Sequence, residues 1–193
     1  MTDALAPLVE LGRTASDRAL LARALRDLDT DHALGSKMTV EPNLTTVIAE
    51  FVARLLDAFD SLDALRGLRV LDIACGSNSS RSPVTHRVTV EFEPWMCRVL
   101  AALGAEPVGL DIGDLEAETF EHHRVDLGIR GALDILPSRS FDAIHESRLF
   151  GSPEFRATYA TSTERIRAEI HSQERRLLKP GGILIHRDGR RPS

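Results

Sequence analysis

The stretch Arg69-Val70-Leu71-Asp72-Ile73-Ala74-Cys75-Gly76-Ser77-Asn78 constrains the chain more than any other. An apolar run from Val70 to Ala74 carries one acid inside it and then breaks into small, turn-forming residues. A short apolar run bounded by turn signals reads as a buried parallel strand. Small residues at its end let the backbone approach a ligand closely. A parallel strand needs a crossover to its neighbour, and the rest of the chain supplies strand, polar loop and helix in alternation.

Further strands are expected at Pro107–Asp111, His123–Leu127, Ser140–His145 and Ile183–His186. The helix between Asn43 and Phe59 is the clearest. Leu44, Val47, Ile48, Phe51, Val52, Leu55, Leu56 and Phe59 follow the i, i+3, i+4, i+7 rule. Residues 1–35 read as helical, with a capping box at Thr14-x-x-Asp17 and a break at Gly35-Ser36; Asn43 is expected to cap the next helix. Pro94 opens a helix carrying Trp95, Met96, Val99, Leu100 and Leu103, and Gly104 closes it. Thr161-x-x-Glu164 suits the start of a helix with Ile166, Ile170 and Leu177, stopped by Lys179-Pro180-Gly181-Gly182. Residues 77–93 form a long insertion in which Val88, Val90 and Phe92 alternate with polar residues, a weak strand signal. The organisation is one domain: helices over 1–64, an α/β core over 65–187 and a polar tail over 188–193. The fold class is a Rossmann-like α/β sandwich, mostly parallel, with order 3-2-1-4-5.

The totals restrict function. The chain has 193 residues and a net charge of −5, so nothing draws it to nucleic acid or anionic membrane. No apolar run approaches the roughly 18 residues that cross a bilayer, and the N-terminus has no secretory pattern. Cys75 and Cys97 form no CxxC and no Cys/His cluster, which predicts no metal site and a reducing, cytoplasmic setting. His122 and His123 lack further ligands at suitable spacing and read as a solvated pair.

In an open α/β sheet, ligands bind beyond the carboxyl ends of the strands. Asp111, ending strand two, is placed to accept from two ribose hydroxyls. A dinucleotide would need a G-x-G-x-x-G turn running directly into a helix. Here the turn is A-C-G-S-N-S and the next helix waits until Pro94. A ligand with ribose but no pyrophosphate fits better, and a nicotinamide-dependent oxidoreductase is disfavoured.

These motifs together resemble class I S-adenosylmethionine-dependent methyltransferases. Val70–Ser77 is similar to the family's strand-one signature, Leu110-Asp111-Ile112 to its strand-two acid, and Val125-Asp126-Leu127 to its strand-three acid. Leu136–Ile144 and Leu178–Leu184 resemble the approaches to strands four and five. The resemblance implies S-adenosylmethionine as cofactor and methyl transfer to a small-molecule acceptor. It implies that Asp72, Ala74, Cys75, Gly76 and Ser77 surround the methionine part, that Asp111 binds the ribose, and that Ile112 packs on the adenine. Asp126 would accept from the adenine amino group with Leu127 beside it, and His145 and Glu146 would face the reacting methyl, Glu146 also touching cofactor. The sequence departs from the family at Asn78, which replaces a glycine, at the long 77–93 interval, and after strand five, where the usual strand pair is missing. A bare strand-five edge predicts cover by the tail, by residues of the N-terminal region, or by a second copy or partner subunit, unless the edge is tolerated as it is. It also keeps open an alternative: a non-catalytic, cofactor-binding assembly subunit.

Overall fold

The computed structural model describes residues 5–78, 89–146, 149–186 and 189–192. Four helices come first: α1 (Ala6–Val9), α2 (Ala15–His32), α3 (Leu34–Val40) and α4 (Asn43–Ala58). The core alternates β1 (Arg69–Ile73), α5 (Trp95–Ala102), β2 (Glu106–Asp111), β3 (Glu121–Arg124) and β4 (Phe141–Glu146). It closes with α6 (Pro153–Tyr159), α7 (Thr163–Leu177), β5 (Leu178–His186) and β6 (Gly189–Pro192). The strands form one sheet in the order β3-β2-β1-β4-β5-β6, parallel throughout except for the antiparallel β5–β6 pair. The parallel part has the expected Rossmann-like order 3-2-1-4-5.

Strand alternation distributes the side chains between two cores. Val70, Ala143 and Ile185 point to the layer holding α2, α4 and α5. Leu71, Ile73, Phe141 and Ile144 point to the layer holding α6 and α7. By that parity Asp72 and His145 share the α4 side, and Glu146 belongs to the α7 side.

Several local expectations shift. The capping box at the start of α2 is present: Asp17 N–H donates to Thr14 Oγ1 and Thr14 N–H to Asp17 Oδ2, both at 3.0 Å. The break after α2 falls at Ala33, with φ +53°, and not at Gly35-Ser36, which lie inside α3. Asp29 produces it, accepting Ala33 N–H on its carbonyl and Gly35 N–H on its carboxylate. Pro42, not Asn43, stands at the N-cap of α4, and α7 starts after Ser162 with no side-chain cap. Residues 90–92 form a 3-10 turn where a strand was expected; 79–88 lie outside the described residues. The third strand starts two residues early, at Glu121, and ends at Arg124. Gly189–Pro192, read from sequence as part of a loose tail, pairs with β5, so the β5 edge is hydrogen-bonded rather than bare.

One buried acid lies on the α7 side. Glu174 is 3 % exposed, and no hydrogen bond or ion pair to its carboxyl is found among the described residues. Burial, with the like charge of Glu146 as a smaller contribution, pushes it up to about 7. A carboxyl raised on folding binds protons more tightly folded than unfolded, so stability is full at low pH and declines as pH rises from the ordinary glutamate range to about 7. Urea unfolding should therefore show a loss on the order of 2–3 kcal/mol between pH 5 and pH 8 from this group. Glu174→Gln should flatten that slope.

Candidate functional site

The carboxyl end of β1 opens a cleft of about 880 Å³. After Ile73 the chain turns through Ala74 (φ +58°) and Gly76 (φ +90°). Cys75 N–H donates to Leu110 O and Ser77 N–H to Phe92 O, both at 2.9 Å, so the turn is stitched to β2 and to the segment before α5. A Cβ on Gly76 would lie 2.2 Å from Phe92 O, a main-chain atom. Only glycine satisfies both the left-handed φ and this close approach.

Asp111 ends β2 beside that turn. Its Oδ2 accepts Gly76 N–H at 3.1 Å and its Oδ1 accepts Gly113 N–H at 2.8 Å. Burial raises its pKa, and these main-chain bonds work against the rise. Each oxygen keeps a further lone-pair site for a ligand. Ile112, next along, is 53 % exposed, an apolar side chain presented at the rim.

Deeper in the cleft a polar row crosses from the sheet to α4. Asp72 and His145 are register partners on β1 and β4. His145 Nδ1 lies 2.6 Å from Asp72 Oδ1, and Arg54 Nη1 lies 3.3 Å from His145 Nε2. Arg54 Nη2 donates in turn to Glu50 Oε2 at 3.3 Å. Asp72 Oδ2 also accepts from the Cys97 thiol at 3.7 Å. Phe51 sets its ring edge-on to the imidazole, centroids 5.9 Å apart. A lone buried carboxylate costs several kcal/mol, and this row is what accommodates Asp72 inside an apolar strand.

The structure places most sequence-predicted site residues around this cleft. Asp72, Ala74, Cys75, Gly76 and Ser77 line it from β1 and its loop. Asp111 and Ile112 line it from β2, Leu127 from beyond β3, and His145 from β4. Two residues stand elsewhere. Asp126 is not among the cleft-lining residues; its Oδ1 accepts Gly128 N–H at 2.7 Å and the hydroxyl of Tyr159, which does line the cleft. Burial and that carboxylate push the Tyr159 phenol up to about 12. Glu146, by strand parity, faces the α7 layer and is not among the cleft-lining residues; burial raises its pKa. Trp95, on the apolar face of α5, is fully buried and donates from Nε1 to Val90 O at 2.6 Å.

Sequence reading missed Glu50 and Arg54. They were hidden because α4 reads as one apolar face, whereas the helix has two adjoining stripes. Leu44, Ile48, Val52 and Leu55 fill the core, while Asn43, Thr46, Glu50 and Arg54 face the cleft. The available signal was the i, i+4 Glu50–Arg54 pair flanking Phe51. The phenyl and phenol of Phe155 and Tyr159 on α6 close the opposite wall.

A second buried network fixes the mouth. Arg98, 5 % exposed on α5, bonds Glu93, Glu118 Oε1 at 2.7 Å, Glu118 Oε2 at 3.2 Å and Asn78 Oδ1 at 2.8 Å. Its guanidinium also stacks 4.6 Å from the Trp95 ring. Lys37 of α3 adds a bond to Glu93 Oε2 at 2.7 Å. Asn78, standing where a glycine was expected, is thus a network member. Among the described residues no group of three or more His, Cys, Asp or Glu side chains is arranged to hold a metal ion, and no helix is long and apolar enough to cross a membrane.

No protein-family model matches the chain, and no curated protein matches it. Among solved structures it is similar to the CurJ carbon methyltransferase at 17 % identity and a TM-score of 0.42, over 94 % of this chain and 46 % of that one. It is also similar to the trans-methyltransferase CalH, solved in complex with SAH, at 16 % identity and a TM-score of 0.39, over 86 % of this chain and 43 % of that one. The chain therefore spans less than half the length of these two methyltransferases.

Removing the Arg98 charge leaves Glu93 and Glu118 buried and uncompensated. Arg98→Met should destabilise the fold by about 3–5 kcal/mol in chemical denaturation, the scale for breaking a buried ion pair from one side.

Proposed function

We propose that the protein transfers a methyl group from S-adenosylmethionine to a small-molecule acceptor bound in this cleft. The observation that carries the reading is the Asp111 carboxylate, fixed at the β2 tip by two main-chain donors with lone pairs left over. That is the arrangement a vicinal ribose diol requires. The residues fit the rest of the cofactor. Gly76 lets the β1 turn pack against the Phe92 main chain and so shapes the wall along which the methionine part would lie, and Ile112 offers an apolar shelf for the adenine. Leu127 lines the same cleft.

A pyrophosphate fits poorly. The helix that follows the loop, α5, begins only at Trp95. The residue before its N-cap is Glu93, whose carboxylate is already committed to Arg98 and Lys37. Negative charge at that end offers no anion site.

When bound, the sulfonium supplies an electrophilic methyl group. The protein contributes position: the β1 turn and Asp111 hold one side, while α4, Phe155 and Tyr159 wall the other, where the acceptor sits. In-line transfer depends on such alignment more than on covalent participation.

Calorimetric titration tests the reading. Micromolar binding of S-adenosylmethionine and S-adenosylhomocysteine is expected, weakened in Asp111→Ala by about 1–3 kcal/mol, the loss of hydrogen bonds to a charged group. No binding by the folded protein would reject it.

A further inference from the structure

Among the described residues five carboxylates line the cleft, and four of them are answered. Asp72 meets His145, Asp111 accepts from Gly76 and Gly113, Glu93 is shared by Arg98 and Lys37, and Glu50 accepts from Arg54. The fifth is Glu91, half-buried on the cleft wall. Its carboxylate has no hydrogen bond and no ion pair among the described residues. Taking a carboxylate partly out of water costs free energy, which a structural carboxylate recovers through a partner. Glu91 carries the cost without the partner, and it stands in a cleft.

The backbone beneath it is firmly held. Glu91 is the middle residue of the 3-10 turn Val90–Phe92. Val90 O accepts the Trp95 indole N–H, Phe92 O accepts Ser77 N–H, and the next residue, Glu93, is tied to Arg98 and Lys37. The turn packs on α4. Glu91 is thus mounted between the β1 turn and α4, at the border of the acceptor's half of the cleft. Aromatic rings of Phe51, Phe92, Phe155 and Tyr159 line the same space. Phe51 already meets a cation, with the Arg54 guanidinium 5.8 Å from its ring centroid. Among the described residues Arg54 is the one lysine or arginine that lines the cleft, so acid outweighs base there.

We propose that the methyl acceptor is an arylalkylamine and that Glu91 is the residue that holds its nitrogen. This rests on the methyl-transfer reading above. Methylation by a sulfonium moves a positive charge from sulfur to the acceptor. On an amine the charge persists as an ammonium; on a phenolate or carboxylate it is cancelled. A carboxylate beside the acceptor atom therefore stabilises the charge that grows on an amine and repels an anionic acceptor. The amine arrives as an ammonium, drawn by the acidic cleft, and gives one proton to water. Its lone pair forms the nitrogen–carbon bond as the sulfur–carbon bond breaks. The electron pair of the broken bond stays on sulfur, which leaves as a neutral thioether, and the product is a methylammonium. The aromatic walls take the aryl group and face the cation.

Calorimetry with three probes of similar shape tests the assignment: 2-phenylethylamine, 2-phenylethanol and 3-phenylpropionate. Each is titrated into protein saturated with S-adenosylhomocysteine and into ligand-free protein. The amine should bind tightest and the carboxylate weakest. Glu91→Gln keeps the shape and removes the charge. It should weaken the amine by roughly 10–100-fold, the scale of a hydrogen bond to a charged group, and leave the alcohol and S-adenosylmethionine unchanged. Methyl transfer to 2-phenylethylamine should show the same loss as a raised KM, and Glu91→Asp, which retains the charge, should recover part of it. Equal affinity for amine and alcohol, or an amine affinity that Glu91→Gln does not alter, overturns the proposal. So does a variant that loses S-adenosylmethionine instead, because Glu91 would then serve the cofactor's own cation. The wild-type ranking of the three probes decides the matter even if the variant fails to fold. Failure of S-adenosylmethionine binding removes the methyl-transfer reading, whereas the titrations of ligand-free protein still report whether Glu91 holds a cation.

Discussion

The Asp72 carboxylate, 2 % exposed in the central strand, is the constraint on which the site depends. Every other side chain of β1 past Arg69 is apolar and buried, so the sheet is covered on both faces as a parallel sheet must be. A charge placed there requires partners on the same face and at the same level. Register supplies His145 from β4, and α4 supplies Arg54 and Glu50. The same requirement brings α4 close over the carboxyl end of the sheet, and the gap left between them is the cleft.

Two networks share the load around that cleft. Asp72, His145, Arg54 and Glu50 tie the sheet to α4 from beneath. Arg98, with Glu93, Glu118 and Asn78, ties α5 to the loops at the rim. The first lines the floor of the cleft. The second is saturated: its carboxylates are held by Arg98 and Lys37, with Asn78 completing the guanidinium's set, and it serves to fix the path of the chain on both sides of Gly76. The setting of the Asp111 carboxylate depends on that path, because one of the donors holding it is Gly76 N–H.

The outer edge shows a different economy. β5 hands its free edge to β6, a four-residue antiparallel strand. Short edge strands offer little template for further pairing. On the opposite face, Glu174 is buried with no ion pair among the described residues, and the α7 layer is stabilised by apolar packing that outweighs that cost.

The amino-acid sequence by itself determined the strand order, the carboxyl-end position of the site and most of its lining, because local signals suffice for these. Apolar runs ending in small residues mark parallel strands, and an acid after such a run has nowhere to go but the rim. Tertiary structure decided what depends on distances between elements. It set Asp126 toward Tyr159 and Glu146 toward α7, since a side chain's face follows from strand register that no single segment encodes. It split α4 into a core stripe and a cleft stripe, because a helix 16 residues long meets two neighbours at once. It also joined residues 72, 145 and 54 into one row, although 91 positions separate Arg54 from His145, because only the folded sheet brings β1 and β4 side by side.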